Sequence, residues 1–337
     1  MHRGRFINNS QGGRDTLNDG VRGVTFPSMA TLTNKHALPG ALVRYLERDP
    51  YSRGDGVRYS VTQLIDEPRI RALRERHDAE ISRDVSEMVW LILGKAVHKF
   101  LEDAAAERGD PDHTIEERCY LPVRNVVISG QMDVQDAGDG KVEIIDWKVT
   151  SAFAVMFGKA AWEQQLNCYA HLLRETKGKK VGKLSIVALL RDWSRRDAEK
   201  NPDYPQQPIV TIPIPVWPPA EAQEYVEGRV KLHLDADVSS AWGDDLQPCT
   251  DEGRWLREGM WIVERKAKPT KEKPEERWYT LRAVPTEAEA RKIMADAKGE
   301  VRLTRRRSPP VRCAGNYCGV AEFCDQWKAE RPAEQEA

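Results

Sequence analysis

Nothing in these 337 residues approaches the run of about 18 apolar residues that a membrane-crossing helix needs. Residues 1–13 lack the apolar stretch of a secretory signal, so the expected compartment is the cytoplasm. Net charge is −1, which removes any global field drawing in a polyanion and leaves nucleic-acid binding to local patches. No internal repeat is present. Cysteines number six, and in a reducing compartment their clustering points to metal rather than to disulfides. What is there suits a folded chain: 40% of residues are hydrophobic and 31% charged, enough for one large domain or two smaller ones.

The chain opens with a polar, Gly/Asn-rich stretch, 1–35, expected as a loose arm. Residues 38–48 predict a short helix. Residues 59–76 predict another, with Ser60 or Thr62 as N-cap. The spacing of Val85, Met88, Val89, Ile92, Val97, Phe100 and Leu101 predicts a long amphipathic helix over 84–108, with His98 on or beside its stripe. Three strands, 114–122, 126–135 and 141–149, are joined by short turns and predict an antiparallel meander. A helix over 157–175 places Trp162, Leu166, Tyr169, Ala170 and Leu173 on one side. Strands at 183–190 and 209–216 and a Pro-led helix at 218–235 follow. Beyond them come strands near Trp261 and Trp278, a helix at 286–297, a strand at Val301 and an acidic tail from Lys328. The order predicts an α/β core with a mixed sheet.

The stretch Val142-Glu-Ile-Ile-Asp-Trp-Lys148 carries the chemistry. A strand has period two, so Val142, Ile144, Asp146 and Lys148 share a face. A carboxylate beside an ammonium is ordinarily a salt bridge. The same acid-x-Lys spacing recurs at Asp139, Glu175, Glu264 and Asp296, none of which is expected to end an apolar strand. Asp133, one strand earlier, pairs toward Asp146 in a meander. Two carboxylates in contact repel unless a cation lies between them. Oxygen ligands favour a hard ion such as Mg²⁺ or Mn²⁺, and His98 as a third ligand biases the site toward Mn²⁺. Such an ion activates water and offsets phosphoryl charge. Lys148 then holds or deprotonates the water, or offsets transition-state charge. Gln165 and Tyr169, four apart on a helix, share a face and reach the same place.

In this order the set resembles the PD-(D/E)XK nucleases, and more narrowly the phage-type branch of RecB-type domains, lambda-type exonucleases and CRISPR adaptation nucleases. The motifs are Gly94-Lys-Ala-Val-His98, Gly130-Gln-Met-Asp133, Ile144-Ile-Asp146-Trp-Lys148 and Gln165-x-x-x-Tyr169. The match covers about 84–192. The resemblance implies a restriction-endonuclease-like fold with His98, Asp133, Asp146 and the Trp147 carbonyl holding the metal. It makes Lys148 catalytic and gives Gln165 and Tyr169 the positioning of lysine or phosphate. It implies a metal-dependent deoxyribonuclease, an exonuclease of recombination, repair or end processing leaving 5′-phosphates. A structure-selective or RNA-directed endonuclease, or a catalytically silent DNA-binding scaffold, are the alternatives. The expected organisation is an N-terminal arm and helical region (1–83), a nuclease core (84–235) and a basic C-terminal segment with cysteines (236–337).

Cys313, Cys318 and Cys324 fall within twelve residues. Thiolates so placed suit an iron–sulfur cluster or zinc. Some members of the resembled branch close the domain with a four-cysteine [4Fe–4S] staple whose first ligand lies upstream of the core. Here residues 64–69 hold no cysteine, and Cys249 is the remaining fourth ligand. Cys119 and Cys168 are expected to be packing residues. Arg302, Arg305, Arg306, Arg307 and Arg312, near Trp255, Trp261, Trp278 and Tyr279, are expected to touch DNA backbone and bases, with little sequence preference. Arg265, Lys266, Lys268, Lys271 and Lys273 add to the local charge. DNA ends or single strands are the expected partner, with a single-strand annealing protein or helicase by analogy.

Overall fold

The computed structural model describes residues 31–47, 54–106, 112–268 and 275–331. Most of the expected arm, Lys271 and Lys273, the end of the helix expected to reach 108 and the last of the acidic tail lie outside them. The chain begins with β1 (Thr31–Thr33) and α1 (Gly40–Glu47), then β2 (Val57–Ser60), α2 (Val61–Leu64) and α3 (Pro68–Arg76). Next come β3 (Ser82–Asp84), α4 (Val89–Ala106), β4 (His113–Val123), β5 (Val126–Gly138) and β6 (Lys141–Thr150). Then follow α5 (Ala152–Phe157), α6 (Ala160–Lys177), β7 (Val181–Leu190), α7 (Arg195–Lys200), β8 (Ile209–Ile214) and α8 (Pro219–Trp242). The chain closes with β9 (Met260–Lys266), β10 (Trp278–Val284), α9 (Glu287–Asp296), β11 (Val301–Arg306), α10 (Val311–Ala314) and α11 (Asp325–Glu330).

The main sheet is mixed, as the order of elements predicts. β4, β5 and β6 form the antiparallel meander, β7 lies parallel to β6, and β8 closes the far edge. β5 is long enough to serve two neighbours along one edge. Val127–Ser129 pair in parallel with β2, and Val134–Gly138 pair with β6. Between them, residues 130–133 bridge a fork in the sheet, and Asp133 stands just before Val134, the residue paired with Ile145 of β6.

Three expected helices are corrected. The segment 59–76 opens as strand: Tyr59 is fully buried in β2, and Ser60 both ends that strand and caps α2 through a capping box with Gln63. Pro68 then restarts the chain as the first residue of α3, because its ring cannot donate into a continuing helix. The sheet thus takes in residues before 84. The helix expected from 84 starts at Val89, since Asp84 pairs with Thr33 in β3 and a 3₁₀ turn follows. The helix expected over 157–175 is split at Gly158, whose φ of 70° ends α5 before α6 begins.

Helix α6 is the axis of the core. The sheet lies on one side of it and α8 on another, so it is buried almost all round: Trp162, Leu166, Tyr169, Ala170 and Leu173, but also Cys168 and Leu172. Ala222, Val226, Val230, His233 and Ala236 make the matching stripe of α8. Cys119 and Cys168 pack into this core. A second core joins Ile70 and Leu73 of α3 to Leu246, Val320 and three cysteines. The C-terminal region also holds a separate three-stranded sheet, β10-β9-β11, backed by α9; its apolar strand β9 ends on Glu264-Arg-Lys266, so against expectation the acid-x-Lys spacing closes a second strand. No helix among the described residues is long and apolar enough to cross a membrane.

Candidate active site

Strand β6 shows the alternation read from sequence. Val142, Ile144 and Asp146 are buried in turn, and Asp146 is only 2% exposed. Its Oδ1 accepts a hydrogen bond from Gln165 Nε2 at 3.2 Å, and that same nitrogen lies 2.8 Å from Tyr169 Oη. Its Oδ2 lies 2.6 Å from Lys148 Nζ but outside hydrogen-bonding geometry, so a buried carboxylate oxygen has a counter-ion and no directed donor. Tyr169 explains Gly130: a Cβ there would stand 2.8 Å from the tyrosine ring and 3.0 Å from Val61 Cγ2.

Asp133 approaches from the fork. The β5–β6 ladder ends at Val134–Ile145, and the next backbone donor, Trp147 N, bonds Asp133 Oδ2 at 2.8 Å instead of a carbonyl. His98, reaching down from α4, puts Nδ1 3.5 Å from that oxygen and hydrogen-bonds the Trp147 backbone. Burial, then the charge of Asp146, pushes the Asp133 carboxyl well above the usual carboxylate range. Burial lowers the His98 imidazole, which favours the neutral form that ligates metal.

Sequence reasoning missed Glu116. The two-residue turn after Val123 sets the β4–β5 register, and the flanking pairs Ile115–Val134 and Glu117–Met132 put Glu116 opposite Asp133. Counting back from that turn would have found it. Glu116 has φ 51°, a left-handed backbone rare in a strand. Gln131 Nε2 holds its Oε2 at 2.5 Å, and burial, then Glu102, raises its pKa. Single ligand atoms of His98, Glu116 and Asp133 lie within 4.8 Å of one another.

These residues fit a divalent cation. Three oxygen and nitrogen donors converge, a carboxyl is held against its ionised form beside another acid, and Asp146 Oδ2 has no directed donor. His98, Glu116, Asp133, Asp146 and the Trp147 carbonyl are the groups that would hold it. Asp146 stands apart from the tight threesome, neutralised by Lys148.

Cys249, Cys313, Cys318 and Cys324 line one pocket together with Arg69, Arg254 and Arg312. Each is a buried free thiol. Gln326 brackets the backbone of Cys249 with two hydrogen bonds, at 2.8 and 3.1 Å, and Arg69 Nε lies 3.4 Å from Cys324 Sγ. Burial, then Glu67 and the neighbouring thiols, pushes Cys249 up to about 12. Metal-free, Cys249 is therefore a thiol at neutral pH, and a bound centre would take it as a thiolate with release of a proton. Among the described residues no three of the sulfurs lie within 4.8 Å of one another.

The five arginines are placed differently from one another. Arg312 makes a two-pronged ion pair with Asp66, at 2.7 and 2.9 Å, bonds the Gly253 carbonyl and lies over Trp255. Arg302 pairs with Glu264 at 2.7 Å and covers Trp278. Arg305, over Trp261, and Arg306 and Arg307 are exposed.

A family model for the PD-(D/E)XK nuclease superfamily matches residues 55–325. No curated protein matches. Among solved structures, the protein SSO0001 is similar with TM-score 0.37 and 19% identity, over 57% of this chain and 82% of that one. A protein of Eubacterium rectale described as a putative exonuclease is similar with TM-score 0.27 and 16% identity, over 42% of this chain and 54% of that one. Neither score is high enough to carry a conclusion.

Proposed function

The chain belongs to the PD-(D/E)XK nuclease superfamily, and from that premise we propose that it is a metal-dependent deoxyribonuclease acting from DNA ends. The observation that carries the reading is the meeting of Asp133, Asp146, Lys148, His98 and Glu116 at the fork of β5. When bound, Mg²⁺ or Mn²⁺ supplies neutralisation of the carboxylates and of the phosphodiester, and acidifies water. The protein does the rest. We assign Lys148 Nζ, as an ammonium, the holding of the attacking water and the offset of transition-state charge, while Gln165 with Tyr169 fixes Asp146 from behind and the proton that the water loses passes to solvent. A water oxygen bonds to phosphorus as the P–O3′ bond breaks, leaving a 5′-phosphate and a 3′-hydroxyl. We assign the four cysteines a [4Fe–4S] cluster, with zinc as the alternative, that pins the C-terminus to α3. A role in recombination, repair or end processing, with an annealing protein or helicase supplying the strand, completes the proposal.

The test is cleavage of end-labelled linear and covalently closed DNA with Mg²⁺, Mn²⁺ or EDTA, by wild type and Asp146→Ala. Metal-dependent loss of linear DNA that spares circles and disappears in the variant is the expected result. Cut circles would make it an endonuclease. Intact DNA with binding retained, in protein still holding its cysteine-bound metal, would make it a scaffold.

A further inference from the structure

β6 and β7 run parallel and end together, Lys148 beside Ala188 and Thr150 beside Leu190. The crevice beyond the carboxyl ends of parallel strands is where open α/β sheets take their ligands. Two features there are unexplained by the metal site. The first is a pair of exposed cations, Arg191 and Lys159. Arg191 follows β7 directly and its backbone N–H donates to the Thr150 carbonyl at 2.9 Å; Lys159 follows the break at Gly158. Neither makes a salt bridge among the described residues. Lys159 lies close enough to Arg191 and Lys148 that, after burial, their charge lowers its pKa. Lys148 is paired with Asp146, and Asp192 accepts from the Ala152 N–H, which leaves Arg191 and Lys159 as like charges that favour an anion between them.

The second is an exposed aromatic rim. Trp90, 53% exposed at the start of α4, lies beneath the Arg191 guanidinium at 4.3 Å. On α5, Phe153 and Phe157 pack 4.4 Å apart and are 54% and 68% exposed, with Arg257 over Phe153. Folding alone does not call for rings left in water beside cations. On β6, Lys148 of the candidate active site stands two positions before Thr150, whose carbonyl holds Arg191. A cation for each phosphate and a ring for each base is the pattern of single-strand binding.

We infer that Arg191 and Lys159 grip the phosphates of a single strand led to Asp146 and Lys148, while Trp90, Phe153 and Phe157 stack its unpaired bases. This rests on the nuclease reading and adds to it a substrate form: a frayed or single-stranded end, not an intact duplex.

The experiment reads binding without turnover. The full-length protein in EDTA is titrated against a short fluorescein-labelled oligothymidine and a blunt duplex, over a range of salt, by anisotropy. Wild type is expected to prefer the single strand. Trp90→Ala should weaken it at least about fivefold, with the duplex little changed, and Trp90→Phe should hold near wild type. Lys159→Gln and Arg191→Gln should each reduce the slope of log affinity against log salt by about 0.7. Phe153→Ala/Phe157→Ala is a second arm should Trp90→Ala fold poorly by circular dichroism. Equal loss on duplex and single strand, or wild-type binding by both aromatic variants, would overturn the inference. So would a change of oligomeric mass with DNA binding intact, which would make the rim a contact between copies. Cleavage by variants that bind normally sinks this inference and leaves the nuclease. Binding as expected without cleavage does the reverse.

Discussion

Replacing Asp133 by Asn separates what the site does for the fold from what it does for metal. The residue loses a charge and keeps an oxygen for the Trp147 N–H, now 2.8 Å away. The pKa of Asp133 is raised by burial and by Asp146. The folded protein therefore holds a proton that the unfolded chain gives up. Stability of the metal-free protein falls as pH rises from the ordinary carboxylate range through the raised value. Asn removes that penalty, so the metal-free variant is expected to melt no lower than wild type at neutral pH, with a flatter dependence on pH. The metal response goes the other way. An ion at a hundred times its dissociation constant stabilises by about 2.7 kcal/mol. Across 337 residues, an unfolding entropy of about 2.1 cal/mol/K per residue converts this to a rise of about 4 °C. Wild type should show that rise between EDTA and saturating Mg²⁺ or Mn²⁺ in a circular-dichroism melt. Asp133→Asn should lose most of it, along with activity. A metal-free variant melting several degrees below wild type would mean the carboxylate is a structural asset. A full metal shift in the variant would place the ion elsewhere.

Gly130→Ala drives a Cβ against the Tyr169 ring and should cost about 1–3 kcal/mol by denaturant titration; Tyr169→Ala in the same chain should recover part of it. Cys249→Ser should lower bound iron or zinc measured on the purified protein, and an unchanged metal content would remove Cys249 from the ligand set. Arg312→Gln breaks a pair whose side chains are 16% and 33% exposed, so about 1–3 kcal/mol is expected, between buried and exposed pairs. Against burial, which raises it, Arg312 holds the Asp66 carboxyl below its ordinary value. That stability is present above the unfolded carboxylate range and lost as pH falls through the lowered value. Because Arg312 is spent on Asp66, oligothymidine affinity should not change in this variant.

The strands, the central helix and the meander are legible because period-two and helical spacing survive in the letters 126–190. What escaped was set by tertiary fit. Tyr59 and Ser60 read as helix because the run behind them is helical; only pairing with β5 makes them strand. Glu116 reads as one more polar residue of an edge strand until the hairpin register is counted, and its left-handed backbone has no letter code. Val89 and Phe100 read as core on a helical stripe, yet α4 buries none of its described side chains, a matter of what it is packed against. Likewise Arg312 resembles its exposed neighbours in sequence and differs from them only through Asp66, far up the chain.

The ties between α3 and the C-terminus also set a timetable. Asp66 meets Arg312 across 246 positions and Arg69 meets Cys324 across 255. At a synthesis rate of about 5–20 residues per second, Arg69 waits on the order of 10–50 s for its partner. The strands that carry Asp133 and Asp146 are made long before that latch can shut. A ribosome-stalled chain ending before Cys313 should accordingly be cut at α3 by a protease that spares the finished protein. Residues 312–324 then decide when this part of the molecule is closed, so each nascent copy passes its infancy with β5 and β6 translated and its clasp still unmade.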